Sequence, residues 1–564
     1  MNKISRLFIA AMLLGGSVFA QNDADMKDKE KVPNDWYQLD PSTGYNGISL
    51  DKAYELVKSK NLKSTRIVVA VIDSGIDTLH EDLKAILWTN PKEIPGNGID
   101  DDKNGYIDDV HGWNFIGGKD GRNVKEDSYE AARVYYALKP KWEGKTVDEN
   151  SWSKSDKEEY KIFKKAELKI MGDGKGSDMQ LSMLKRIQTN LTKADSLLKL
   201  ALGKEEYTGN DLDKFKPQNS DDTKARTTLL GLMKGNDAMD QTNKGFLEEL
   251  NSYISGEEKK EEAKKNPPKT YRKDIVGDDE SNLNDRNYGN NDIMASTPFH
   301  GTHCSGIIAA VRNNEKGMNG IADNVRIMMI RAVPDGDEHD KDIANAIRYA
   351  VDNGARIISM SFGKDFSPEK QWVDDAFRYA ESKGVLLVHA AGNDAKNVDT
   401  ADNFPNPVYI DGKGRASNVI TVGASGNMKN GGLTASFSNF GKQEVDVFAP
   451  GVGIYSTIPG GNTYGNASGT SMACPVVAGI AALLLEHYPT LTPQQLKFVI
   501  EKSATAPVDK VNIPGTDDKA YLNEISKTGG IVNAYEALKL AGTIKTGKTK
   551  ELLPKSKVKK TKMG

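Results

Sequence analysis

Three short stretches carry residue types that act together in acyl transfer. Asp73 closes the apolar run of VVAVIDSGID, His300 opens HGTHCSGIIAAV, and Ser471 lies in SGTSMACPVVAG. A serine hydroxyl is a weak nucleophile until a base takes its proton. An imidazole serving as that base needs a carboxylate to fix its tautomer and balance its charge. Asp, His and Ser are therefore the smallest set for this chemistry, and each stands close to glycine, which permits close backbone approach. Taken singly, each has a plainer reading: a strand-end carboxylate, a capping histidine, an N-cap serine.

The elements around them suit those positions. RIVVAVIDSGID (66–77) contains a continuous β-branched run, as expected of a strand covered on both faces. Similar runs recur at VRIMMIRAV (325–333), ARIISMSFG (355–363), GVLLVHAAGN (384–393) and NVITVGAS (418–425). Amphipathic helices closed by glycine lie between them, at 341–354 and 368–384. This alternation predicts an α/β fold, a mostly parallel twisted sheet with helices on both faces, and a site at the carboxyl ends of the strands. His300 and Ser471 each precede small-residue apolar runs that read as buried helices. At a helix N-terminus, Ser471 would sit beside free backbone N–H groups at the positive end of the dipole. Pro475, which has no N–H to donate, is expected within that helix's first turn.

Between residues 121 and 285 the pattern changes. The segment is rich in Lys, Glu and Asp, and Leu184, Ile187, Leu191, Ala194 and Leu198 step by three and four. That spacing is the seam of a helical hairpin or a short coiled coil. The expected organisation is a leader at 1–20, an N-terminal extension at 21–63, a core in two parts (64–120 and 286–540), a helical insertion at 121–285, and a basic, disordered tail at 541–564. The leader reads as a secretory signal peptide: Lys3 and Arg6 precede an apolar stretch from Leu7 to Val18, with small residues up to Ala20. It places the mature chain in the periplasm, at the cell surface or outside the cell. No other stretch is long and apolar enough to cross a membrane. A net charge of −3 over 564 residues gives no general attraction to nucleic acid. Only two cysteines, Cys304 and Cys474, are present, so disulfides do not build the scaffold; buried free thiols are the simpler expectation.

In order and on these elements, DSGID, HGTHCSG and GTSMACP resemble the motifs of the subtilisin-like serine peptidases, or subtilases. The resemblance implies that Asp73 orients, His300 serves as base and then acid, and Ser471 attacks. It places an oxyanion donor at Asn393 in HAAGND (389–394), joined by the Ser471 N–H. It implies that SMSFG (359–363) pairs with an extended peptide through the backbone of Ser361 and Gly363. Phe362 stands where the family commonly has an aliphatic residue, and Ala390, Ala391 and Gly392 would form a small-residue wall. His303 is read as structural and His389 as packing. No cofactor is implied for catalysis, and the partners are protein or peptide substrates. The activity expected is that of an exported serine endopeptidase. The alternatives are a binding protein on a protease-like scaffold, or esterase or peptide-ligase chemistry with the same nucleophile.

GIDDDKNGYIDD (98–109) is a separate signal. Asp100, Asp102, Asn104 and Asp108 offer hard oxygen ligands around a tight turn at Gly105, as a structural calcium loop would. The plainer reading is an Asx-rich surface turn. The chain also departs from the family in the long segment separating Asp73 from His300 and in having no room for a folded pro-domain before the core.

Overall fold

Strand β1 (Ile67–Asp73) buries six of its seven residues, because its β-branched side chains are covered on both faces. Around it forms a seven-stranded sheet with β2 (Gly112–Asn114), β3 (Val325–Arg331), β4 (Ile357–Met360), β5 (Leu386–Ala390), β6 (Val419–Ser425) and β7 (Val447–Pro450). The order is β2-β3-β1-β4-β5-β6-β7, and every pairing is parallel. Asp73 stands opposite Arg331 of β3 on one side, and Ile72 opposite Met360 of β4 on the other. The chain thus leaves β1 toward one edge of the sheet and later returns to its other side. In open parallel sheets, ligand sites lie at the carboxyl ends of strands where such a reversal occurs, here the end of β1. The computed structural model describes residues 32–145, 151–172, 177–235, 238–239, 242–295, 298–428 and 432–544. The leader expected at 1–20 and the tail from 545 onward lie outside the described residues.

Before the sheet, α1 (Leu50–Ser59) and the stretch ahead of it pack into the main core. Trp36, Tyr37, Ile48 and Leu50 are fully buried there, and the Trp36 indole N–H donates to the Gly453 carbonyl at 3.4 Å.

Among the described residues, β2 is followed by α2 (Glu130–Trp142), α3 (Lys154–Met171), α4 (Ser177–Leu202), α5 (Gly209–Lys214), α6 (Ser220–Gly235), α7 (Asn243–Lys265) and α8 (Tyr271–Ile275). Leu184, Leu191, Ala194 and Leu198 of α4 face Leu229, Leu230 and Met233 of α6 in a core of their own. Each fully buried leucine there contributes about 1.5–3 kcal/mol. A second small core joins Tyr135, Phe163, Ala166 and Ala263 with Phe366, which follows β4.

Helices α9 (Phe299–Ala309), α10 (Asp340–Asp352), α11 (Lys370–Ser382), α12 (Thr470–His487) and α13 (Pro493–Ser503) cover the sheet. Val69 and Val71 point to the face covered by α9, α12 and α13, while Ala70 and Ile72 point to α10 and α11, the two-residue alternation of a strand. The hairpin of β8 (Ile454–Ile458) and β9 (Thr463–Ala467) leads into α12. Among the described residues α12 alone is long and apolar enough to cross a membrane, and it is buried as the central core helix.

Candidate active site

Asp73 ends β1 at the carboxyl edge of the sheet, and its side chain is buried. The Ser74 N–H donates to Oδ1 at 2.7 Å. His300 is the second residue of α9, followed by Gly301. A Cβ at Gly301 would stand 2.2 Å from the Gly75 carbonyl oxygen and 3.1 Å from Asp73 Cβ, so only glycine lets α9 close against β1. His300 Nδ1 then lies 2.8 Å from Asp73 Oδ1 and 2.9 Å from Oδ2. Donating Nδ1–H to the carboxylate leaves the lone pair on Nε2. Burial disfavours the imidazolium more than any one contact favours it, but the charge and hydrogen bond of Asp73 together with the interaction with Cys304 outweigh it and hold the ring's pKa well above its ordinary value. The ring stays 37% exposed, open to a reactant.

Ser471 is the second residue of α12. Its hydroxyl donates to the Ser361 carbonyl at 3.1 Å, and the Ser361 hydroxyl donates back to the Ser471 carbonyl at 3.0 Å. Cys304 Sγ–H donates to the same carbonyl at 3.4 Å and lies 4.0 Å from His300 Nδ1, so one sulfur touches both motifs. No hydrogen bond joins Ser471 Oγ to the His300 ring here, the hydroxyl being engaged by the Ser361 carbonyl.

Pro475 corrects an expectation. Helix α12 begins at Thr470, which puts Pro475 in the second turn rather than the first. The proline removes the N–H that would have bonded the carbonyl four residues back, that of Ser471. That freed carbonyl is the one that receives Ser361 and Cys304. Both cysteines are unbonded and buried.

Asn393 follows Ala390, Ala391 and Gly392, the stretch expected to form a small-residue wall. Its Oδ1 accepts from the Thr470 N–H at 2.8 Å and the Thr470 hydroxyl at 2.9 Å, which turns its NH2 away from them. A point one Cβ bond from Gly469 lies 3.5 Å from both Asn393 Nδ2 and the Ser471 backbone N. Two donors therefore converge on one small space, left open because residue 469 has no side chain. Residues 390–392 are stiffened by Asn439, whose Nδ2 donates to the Ala391 carbonyl at 2.8 Å and whose N–H donates to the Gly392 carbonyl at 2.8 Å. The Thr470 hydroxyl also accepts from the Gly392 N–H at 3.1 Å. Asn439 and Thr470 carried no signal in the sequence beyond being polar residues near apolar runs.

Ser361, Phe362 and Gly363 run on from β4 toward Lys364, which pairs with Phe404 through two backbone bonds of 2.9 Å. Among the described residues, no hydrogen bond uses the N–H or carbonyl of Gly363. His389 is buried, which pushes its pKa down to about 4, and its Nε2–H donates to the Phe362 carbonyl at 2.8 Å. It stays neutral and braces the strand. His303 is likewise lowered to about 4 by burial and bonds the Gly465 carbonyl at 3.1 Å.

The acidic loop brings together a different set from the one its spacing indicates. Carboxylate oxygens of Glu93, Asp100 and Asp102 lie within 4.8 Å of one another. Glu93 Oε1 accepts the backbone N–H groups of Asp101 and Asp102, while its buried Oε2 has no partner. Asp108 does not join them: its oxygens accept the N–H groups of Gly96, Asn97 and Gly98. Asn104 uses Oδ1 for the Tyr106 N–H and Nδ2 for Asp109. Glu93 escaped the sequence reading because it stands outside the loop.

Residues 64–529 match the family described as the subtilase family, Peptidase_S8. The thermophilic serine proteinase of a Bacillus species is 40% identical over 240 residues, 42% of this chain and 52% of that protein. Thermitase of Thermoactinomyces vulgaris is 39% identical over 240 residues, 42% of this chain and 74% of that protein. A solved structure of proteases from Pseudoalteromonas arctica covers 91% of this chain and 100% of its own at 20% identity, with a TM-score of 0.44. The chain spans about half the length of the first of these relatives.

Proposed function

The chain belongs to the subtilase family, and we propose that it is a serine endopeptidase working through Asp73, His300 and Ser471. The observation that carries this reading is the bond from His300 Nδ1 to both Asp73 oxygens, beside a serine at a helix start.

The Ser471 hydroxyl swings from the Ser361 carbonyl to His300 Nε2 and loses its proton as Oγ attacks the scissile carbonyl. The carbonyl oxygen becomes an oxyanion in the space beside Gly469, where Asn393 Nδ2 and the Ser471 N–H donate to it. Imidazolium, favoured by Asp73, gives its proton to the departing amine. The amine is expelled on the His300 side, so the acyl portion lies along Ser361–Gly363, where it adds a strand. The wall of Ala390, Ala391 and Gly392 leaves room for a side chain. Water, activated by His300, then hydrolyses the acyl-enzyme.

Around this centre, Glu93, Asp100 and Asp102 fit a structural calcium ion, since the unpartnered Glu93 Oε2 is a hard oxygen donor within reach of two more carboxylates. Such an ion would tie the loop together and takes no part in peptide hydrolysis. Residues 121–285 act as a helical insertion in the peptidase core, and the stretch at 1–20 directs export.

Incubating the purified protein with a peptide library and mapping the products by mass spectrometry tests the activity. Internal cleavages that vanish in Ser471→Ala are expected; cuts unchanged by that substitution would overturn the reading.

A further inference from the structure

Three consecutive residues after the substrate strand are each held by the helical segment. Lys364 Nζ donates to Glu130 Oε2 of α2 at 2.8 Å. Asp365 pairs with Lys169 of α3, and its carbonyl accepts from Lys165 Nζ at 3.0 Å. Phe366 lies in the apolar cluster of Tyr135, Phe163 and Ala166. Helices α2 and α3 therefore grip the chain where it leaves Gly363.

Lys364 is the centre of the grip. Its Nζ also bonds the Glu338 carbonyl at 2.7 Å and Asp340 Oδ1 at 2.9 Å, and the residue is only 5% exposed. One buried ammonium thus joins the substrate strand, the helical segment and the loop entering α10. Arg133 also holds Glu130 in place through a forked pair, Nε to Oε1 at 3.2 Å and Nη2 to Oε2 at 2.6 Å, sharing Oε2 with Lys364. The same loop is also paired with the start of the segment: the Asp127 N–H donates to the Asp335 carbonyl and the Asp335 N–H to the Lys125 carbonyl, both at 2.9 Å.

The position along the strand decides what this grip would control. Ser361 touches the nucleophile, and each residue of extended chain advances about 3.3 Å, so Lys364 lies about 10 Å from the scissile bond. Resting on the peptidase reading above, we propose that Glu130, acting through Lys364, is a positioning residue that adapts the site to extended peptides with about four residues on the acyl side. A residue at that distance leaves the triad untouched but sets the spacing of the strand that far substrate residues must join.

The test compares chromogenic peptides carrying one and four acyl-side residues, together with the rate of fluorophosphonate labelling, in wild type, Glu130→Gln, Glu130→Asp and Lys169→Ala. Glu130→Gln should lower kcat/KM about tenfold on the four-residue peptide, through KM, with the one-residue peptide and the labelling rate within twofold of wild type. Glu130→Asp should recover part of the loss. Lys169 is 45% exposed, so Lys169→Ala probes the same grip without a buried charge at stake, and a threefold loss confined to the longer peptide is expected. Equal losses on both peptides, or none on the longer one in either Glu130→Gln or Lys169→Ala, would overturn the proposal. A wild-type protein that neither labels nor cleaves either peptide would overturn the peptidase reading itself.

Discussion

Ser471 and Ser361 bond each other twice, each hydroxyl donating to the other's carbonyl at 3.1 and 3.0 Å. Ser471 and Ser361, the proposed nucleophile and the first residue of the proposed substrate strand, are therefore one unit, and the Ser471 carbonyl is available for it because Pro475 gives no N–H to that oxygen. Replacing Ser361 with alanine removes one of the two bonds and leaves the acceptor carbonyl. A net hydrogen bond contributes about 1 kcal/mol, so Ser361→Ala should lower kcat roughly fivefold while the protein stays folded. Steady-state kinetics beside a melting curve checks this; an unchanged kcat would mean the reciprocal pair has no part in aligning Ser471.

The pH profile follows from the Asp73 contact. Nε2 accepts a proton only while the ring is neutral, so activity is low below the His300 pKa and rises through it. Burial pulls that pKa down, and Asp73 together with Cys304 raises it further than burial lowers it, so the rising limb of kcat/KM should have its midpoint above 6.5. In Asp73→Asn the opposing charge is gone, so the limb should move to lower pH and kcat should fall by about 10⁴-fold. A midpoint that does not move would separate Asp73 from His300.

Gly469 offers a steric test of the space between the two donors. Its φ of 163° is an extended conformation that any residue adopts, so alanine there brings no backbone strain. A methyl group 3.5 Å from both Asn393 Nδ2 and the Ser471 N would stand where the oxyanion develops. Gly469→Ala should lower kcat about 10²-fold with little change in KM. Asn393→Ala should cost about 10²–10³-fold, the loss seen when the corresponding donor is removed from a member of this family. Full activity in either variant would move the oxyanion elsewhere.

Calcium is tested by stability. An ion bound to the folded state at about a hundred times its Kd contributes about 2.7 kcal/mol. Chelation should therefore lower the melting temperature of wild type and leave Glu93→Gln unaffected. Equal melting of wild type with and without chelator would leave the loop an Asx-rich turn.

Much of the fold was legible because buried parallel strands carry short apolar runs, as VVAVI in β1, IMMI in β3, II in β4, LLV in β5 and VITV in β6 do. Strands β2 and β7 were not, since three residues, Gly-Trp-Asn, and four ending in proline are too short to show a period. The burial of Trp36 and Tyr37 was equally hidden, because their partners lie more than 400 residues away along the chain. At the site, glycine-flanked motifs pointed to Asp73, His300 and Ser471. Their supports were silent: Asn439, Glu93, Glu130 and Lys364 act through tertiary contacts, and no local spacing marks a polar residue as the partner of a distant one. Pro475 lies one turn deeper than its missing N–H predicts because the Ser471 carbonyl it leaves free finds tertiary partners in Ser361 and Cys304.

The most direct measurement is covalent labelling of the purified full chain with a fluorophosphonate, followed by peptide mapping. One label per molecule is expected, on Ser471, lost in Ser471→Ala and slowed in His300→Ala. A label on another residue, or labelling that persists in Ser471→Ala, would contradict that assignment.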